Sequence, residues 1–335
     1  MRFTLVLGLV LGCGPVGSLG AQQRHLMLVV SKGMPGVTLY NADTEEVICK
    51  AKLEMSPHEV AFSANGRTAY VPIYGNTVLG TPGSNEHTLY FLSTRDCREI
   101  VAIDTSSNTR PHGIAVGKSG KIYLTTEMAK SITIVDPAYQ ALTGFIPTGS
   151  PYSHMLVVTP DEKFAFVSNV MSKTISVLNL ETSKLEKVLE VGAENQRIDL
   201  SPDAKSFVTS FWKENKIAFF RVDDRELDFT VPIDGSAIQS KYSADGKFVY
   251  AVGTGAQKQI GVWKIDVAER KVVASLTADV GASAAAFSIS PFTGNLYISD
   301  QAKNEVVIVD AKEMKVLKRL TVEASPDGIA FARSR

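Results

Sequence analysis

A chain of 335 residues, 44% of them hydrophobic, has ample material for a large core, and length alone suggests two domains. Its 35 basic and 35 acidic residues cancel to a formal net charge of zero and are scattered rather than clustered. That balance gives no footing for nucleic acid or an anionic membrane surface as a partner.

The first twenty residues stand apart. Arg2 precedes an apolar run from Phe3 to Leu11, and Ser18-Leu19-Gly20 before Ala21 resembles a signal-peptidase site. The run is too short to cross a bilayer. Residues 1–20 are therefore expected to be a removed signal peptide, and 21–335 a single exported domain, periplasmic or secreted. An alternative lies in Val10-Leu11-Gly12-Cys13, which resembles a bacterial lipobox and would tether the protein by a lipid on Cys13.

Beyond the leader, LMLVVSK, VTLYNAD and VICKAKLE read as three strands. From His58 onward the chain repeats itself. His112, His154, Gln196 and Ile238 are each 42 residues apart, as are Ala285 and Asp327. Each repeat holds an apolar stretch, a polar turn and a second apolar stretch with Tyr or Phe. In 154–191, HMLVVTP, KFAFVSN, KTISVLNL and LEKVLEV make four short strands joined by turns. A period near 42 suits a four-stranded propeller blade, and blades that share neighbours close as one body, which overrides the two-domain prior. Six blades begin near His58, His112, His154, Gln196, Ile238 and Ala285. The C-terminal PDGIAFARSR offers one more strand, which joins the three N-terminal ones to make a seventh blade and close the ring. The expected fold is an all-β, seven-bladed β-propeller of four-stranded blades.

Cys49 and Cys97 fall near outer strands of neighbouring blades, where the rim is wide. The expectation is two separate thiols or one strained bridge. The absence of CxxCH excludes a covalently attached c-type haem.

Tyr70-Val71, Phe166-Val167-Ser168-Asn169 and Tyr297-Ile298-Ser299-Asp300 resemble the YVTN β-propeller repeat, as do SPDAK, SADGK, TISVLNLET and VVIVDAKE. The resemblance covers nearly everything after residue 25. It points to the YncE-type branch of exported seven-bladed propellers, whose relatives include lactonase-like propellers and amine-dehydrogenase heavy chains. It implies the fold. Function differs among those relatives and has to be argued from the site.

First strands of propeller blades line the central channel. The repeat therefore places His58, His112, His154, Gln196, Ile238, Ala285 and Asp327 in one ring, with Asp327 closing beside His58. An arc of Asp, His, His, His and Gln faces Ile and Ala. A twelve-residue insertion, 75–86, separates the second and third strands of the first blade and could bring His87 over the mouth. Tyr74, Glu127, Asn169 and Trp212 end second strands on the same face. His58, His87, His112, His154 and Asp327 form a candidate set for one divalent transition metal such as Zn, Cu or Fe. Where adjacent blades hold their residues too far apart, two of the histidines with His87 or Glu127 would be the set. Without metal, Glu127 and His112 are candidate acid–base residues. Tyr74, Asn169, Arg197 and Trp212 are candidate ligand contacts, and Arg197 or Lys32 could hold an anion. A plainer role also fits the histidines, since duplicated blades inherit like residues that cap strands or bind channel water.

Three functions are consistent with these residues. The first is an exported monomer binding a metal or small polar ligand at the mouth. The second, implied by the resemblance, is a lactonase-like hydrolase or lyase at the same place. The third is a non-catalytic scaffold that docks another exported protein.

Overall fold

Short runs of Val, Ile, Phe and Tyr, broken by Asp-, Asn- and Gly-containing turns, form seven four-stranded antiparallel sheets in the computed structural model. It describes residues 23–334 other than 77, 78, 80, 82, 107–109, 256 and 257; the expected leader and Cys13 lie outside the described residues. Blades 1 to 6 span 61–104, 111–147, 153–190, 195–232, 235–280 and 284–321. Blade 7 combines the C-terminal strand Pro326–Ser334 with Arg24–Ser31, Gly36–Asn41 and Val47–Lys52. Blade 3, with strands Ser153–Val158, Phe164–Asn169, Thr174–Asn179 and Lys184–Glu190, follows the expected division closely. The first strand of each blade touches that of the next all the way round. The ring is closed.

Alternation along each strand sends one set of side chains to each neighbouring blade. Val208, Ile217 and Phe219 of blade 4 pack with Val249, Ala251 and Trp263 of blade 5. Phe207, Ala218 and Phe220 of the same sheet turn the other way, onto Phe166, Ile175 and Val177 of blade 3. One such cluster fills each blade interface, so the core is a ring of apolar layers around a polar axis. Full burial of each large side chain stabilises by about 1.5–3 kcal/mol. Among the described residues no helix is long and apolar enough to cross a membrane. A single 3₁₀ turn, Trp212–Glu214, is the only helical element there.

The two cysteines correct the expectation of separate thiols. Cys49, on the outermost strand of blade 7, is bonded to Cys97, with Cα atoms 5.7 Å apart. The rim is narrow here because Cys97 sits in the turn before the outermost strand of blade 1, at φ 57°, and that turn meets the outer strand of blade 7. The bridge joins residues 48 apart in sequence. Closing a loop of that size stabilises by about 4 kcal/mol in the chain-entropy treatment. Cys97→Ser is expected to lower the unfolding free energy by about 2–4 kcal/mol in urea titration, and dithiothreitol should do the same to the unaltered protein but not to the variant. An unchanged midpoint would mean that the bridge closes nothing the unfolded chain would otherwise sample.

Candidate site at the mouth of the channel

All seven positions marked by the repeat line one cavity of about 220 Å³. The local cause is a one-residue slip in each first strand. In blade 3, Ser153 pairs with Asn169 but Met155 pairs with Ser168, which leaves His154 in the bulge. The same slip falls at His112, Gln196, Ile238, Ala285 and Asp327. In blade 1 the bridge Pro57–Ile73 followed by Ala61–Tyr70 places it at His58. A bulge frees one residue from the pleat and re-aims its side chain. Here seven bulges aim seven residues at the axis.

The arc's backbone is then pinned by neighbours. Thr125 Oγ1 donates to the His154 carbonyl at 2.6 Å, Ser168 Oγ to that of Gln196 at 2.9 Å, and Ser299 Oγ to that of Asp327 at 2.5 Å. Each donor occupies the third place of the repeated second-strand signature. Its fourth residue serves the same blade. Asn169 accepts from Ser153 Oγ at 3.0 Å and donates to Thr174 Oγ1 at 3.0 Å and Ser176 Oγ at 2.8 Å. Asp300 Oδ1 accepts from the backbone N–H groups of Ser283 and Ala302. Asn169, expected as a ligand contact, is fully buried and engaged inside its own sheet, off the wall of the cavity.

The His rings stand side by side. Centroids are 5.1 Å apart for His58 and His112, and 3.9 Å for His112 and His154. Tyr74 packs against the first two at 4.6 and 5.0 Å. Its hydroxyl donates to the Glu127 carboxylate, whose other oxygen lies 3.6 Å from Arg110 Nη1. Arg110 Nε in turn donates to Asn85 Oδ1 at 3.0 Å. Glu127 thus lies behind the wall, engaged by Tyr74 and Arg110, and does not line the cavity as a free base would. Two other candidates also sit elsewhere. His87 is half exposed, with Nε2 3.6 Å from Asp104 Oδ1 on the outermost strand of its blade. Trp212 opens the 3₁₀ turn with Lys213 Nζ 5.6 Å over its ring, off the cavity wall.

Below the arc, Arg197 reaches across the axis from blade 4. Its Nη1 lies 2.6 Å from Glu59 Oε1 of blade 1, and its Nη2 3.7 Å from Asp327 Oδ1 of blade 7. Asp327 Oδ2 also lies 3.4 Å from Lys32 Nζ and 3.6 Å from His58 Nδ1. Glu59 was not among the expected site residues. A signal for it existed: Glu59 and Arg197 come directly after equivalent ring positions, on opposite sides of the ring, with opposite charges in slots that hold Gly113, Met155 or Ala286 elsewhere.

Burial, then the nearby cations, holds all three imidazoles neutral, His58 and His112 well below the ordinary range and His154 down at about 3. Among the described residues no side chain hydrogen-bonds to Nε2 of His112 or His154, while their Nδ1 atoms are buried without a partner. Nor, among the same residues, is any group of three or more His, Cys, Asp or Glu arranged to hold a metal ion. The reason is geometric. Imidazole lone pairs lie in the ring planes, and rings stacked at 3.9 Å and 30° hold them side by side instead of converging.

These neutral rings set the sign of the pH response. Unfolded histidines protonate near pH ~6.5, whereas these stay neutral in the folded protein, so the unfolded state binds more protons and stability falls as pH drops below ~6.5. Glu59 and Asp327 act oppositely. Burial raises both despite Arg197, so they add stability as pH falls through their raised values toward ~4. Replacing all three histidines by Gln should remove the loss of melting temperature between pH 7 and 5, read by calorimetry. A slope the same in both proteins would contradict the neutral assignment.

The fold and mouth define a class: a seven-bladed β-propeller with a polar, partly closed channel entrance. Residues 101–234 match the family described as YNCE-like beta-propeller, and the seven four-stranded blades agree with that match in fold. No curated protein matches the sequence. Among solved structures, the periplasmic gluconolactonase of Pseudomonas aeruginosa is similar, with TM-score 0.71, 16% identity and coverage of 92% of this chain and 99% of that one. A functionally unknown protein from Desulfotomaculum acetoxidans gives TM-score 0.76 at 14% identity, covering 92% and 98%. Hydrazine synthase of Kuenenia stuttgartiensis gives 0.59 at 22%, covering 64% and 67%. At these identities the likeness is one of fold.

Proposed function

We propose that this is an exported binding propeller that takes a small polar ligand at the channel mouth. The observation that carries the reading is the convergence of seven bulged positions on one cavity, lined by the rings of His58, His112 and His154, which hold buried nitrogens without a partner among the described residues. Unsatisfied polar atoms at such depth call for water or ligand. Export is supported by the leader-like residues 1–20 and by the Cys49–Cys97 bridge, which persists in oxidising compartments.

A second reading, a lactonase-like hydrolase, is favoured by one feature. A neutral imidazole, as at His112 and His154, can hydrogen-bond a lactone carbonyl or an attacking water, although the burial that keeps it neutral also makes it a weak base. In that reading the histidines orient substrate or water, and Glu127 stays engaged by Tyr74 and Arg110.

The test is calorimetric titration of the mature chain with a panel of small polar compounds, alongside base-uptake assays on simple lactones. At least one compound should bind, and His112→Ala with His154→Ala should weaken it at least tenfold without lowering the melting temperature by more than a few degrees. Lactone turnover lost in His112→Gln would select the hydrolase. Near-stoichiometric metal in the purified protein, lost in His112→Ala, would replace both with a metal centre. Binding of none of the panel, with no turnover, would leave the arc structural and favour the docking scaffold.

A further inference from the structure

We propose that the ligand of the mouth is a short-chain monocarboxylate, its carboxylate on Lys32 and Arg197 and its carbon body against Ile238, Ala284 and Ala285. This rests on the ligand-binding reading above and adds the chemical class.

The lining is asymmetric in charge. Lys32 and Arg197 both reach the cavity wall, whereas only one carboxylate, Asp327, does so. The second, Glu59, sits behind Arg197 as its 2.6 Å partner. Two carboxylates crowding one guanidinium also favour sharing a proton, and burial raises both Glu59 and Asp327. On the wall itself two cations stand against the one carboxylate of Asp327, a place that a single ligand carboxylate would complete. Lys32 is positioned for this role, since its side chain keeps 29% of its exposure and contacts Asp327 only at 3.4 Å. The neutral histidines complement the same group. Nε2 of His112 or His154 can donate to a carboxylate oxygen in the tautomer that leaves Nδ1 unprotonated, without importing further charge.

The rest of the ring limits the body that the carboxylate can carry. Ile238, Ala284 and Ala285 present no hydrogen-bonding side chain, so on that side only the amides of Gln196 and Gln301 could pair with a hydroxyl, and a body carrying several hydroxyls would leave some unpaired. A second carboxylate would meet either this wall or Asp327. A cation would meet Lys32 and Arg197. The cavity's 220 Å³ restricts the body to a few carbons.

The experiment is calorimetric titration of the mature protein with butyrate, butyramide, succinate and glycerol. Butyrate should bind saturably, with butyramide and succinate at least tenfold weaker. Lys32→Met, and independently Ile238→Glu on the facing wall, should each weaken butyrate at least tenfold with near-UV circular dichroism unchanged. Equal affinity for butyrate and butyramide, or butyrate binding unaffected by both variants, would overturn the carboxylate assignment. Arc-dependent binding of glycerol in place of butyrate would overturn it too while leaving the ligand-binding mouth intact. If none of the four binds, the assignment fails, and the wider panel decides whether the mouth binds anything.

Discussion

A chain ending at Ser325 is expected to fail to reach the native state. It lacks the strand Pro326–Ser334, whose register with Arg24–Ser31 runs from Ser334 opposite Arg24 to Ile329 opposite Val29. Ile329 and Phe331 would leave the core between blades 6 and 7. The first-strand ring would be broken between blade 6 and blade 1, and Asp327 would be lost from the mouth. Blade 7 would be left with three strands and a new open edge in the middle of the molecule. A single domain has about 5–15 kcal/mol in hand, and loss of a whole inner strand exceeds that reserve. The truncated protein should show no near-UV circular dichroism and no cooperative thermal transition. A transition within a few degrees of the full chain's would refute the closure argument.

The second large effect belongs to Arg197→Met. The substitution keeps bulk but leaves Glu59 and Asp327 buried without the guanidinium, with Lys32 beside Asp327 and the field of Lys241 on Glu59 as what remains. Removing one partner of a buried ion pair costs about 3–5 kcal/mol, because the remaining charge stays desolvated. The abandoned carboxylates relieve this by taking up protons, so the loss should be greater at pH 8 than at pH 5. Adding Glu59→Gln should restore part of the stability, since the two sites are coupled. Urea titrations of the single and double variants read all three effects. A loss below ~1 kcal/mol at both pH values would show that the guanidinium does not hold the axis together.

Much of this arrangement is legible in the order of residues alone. The 42-residue spacing locates the blades, the shared seventh blade and all seven ring positions, because a repeat that stacks about an axis maps sequence period onto position. What period cannot carry is the direction of a side chain that leaves the pleat. Every ring residue occupies a one-residue slip, and the slip adds nothing to the spacing between blades. For the same reason the ends of the second strands mislead. Asn169, Glu127 and Trp212 share a face with the mouth, but each turns to partners of its own: the interior of a blade, the Tyr74–Arg110 pair, and the start of a 3₁₀ turn. The signature residues around Phe166 to Asn169 resemble functional ones because they are polar and repeated, and they are repeated because each pins a neighbouring strand or its own turn. His87 lies at the end of the insertion, as its position there implies, but pairs outward with Asp104. A uniformly wide rim is the wrong picture for the cysteine pair, because turns there reach across the gap between blades.

One consequence of the closure concerns the gene more than the site. Arg24 and Ser334 lie directly opposite each other on adjacent strands, so the described chain begins and finishes at the same point of the circle. A ring has no first member. Any of the exposed outer turns between blades could serve as the opening, with the present ends spliced by a short linker, and the same seven sheets would be specified. What the existing order adds is that Pro326–Ser334 supplies both the inner strand of the shared blade and Asp327, so the mouth gains its carboxylate only when the circle is complete.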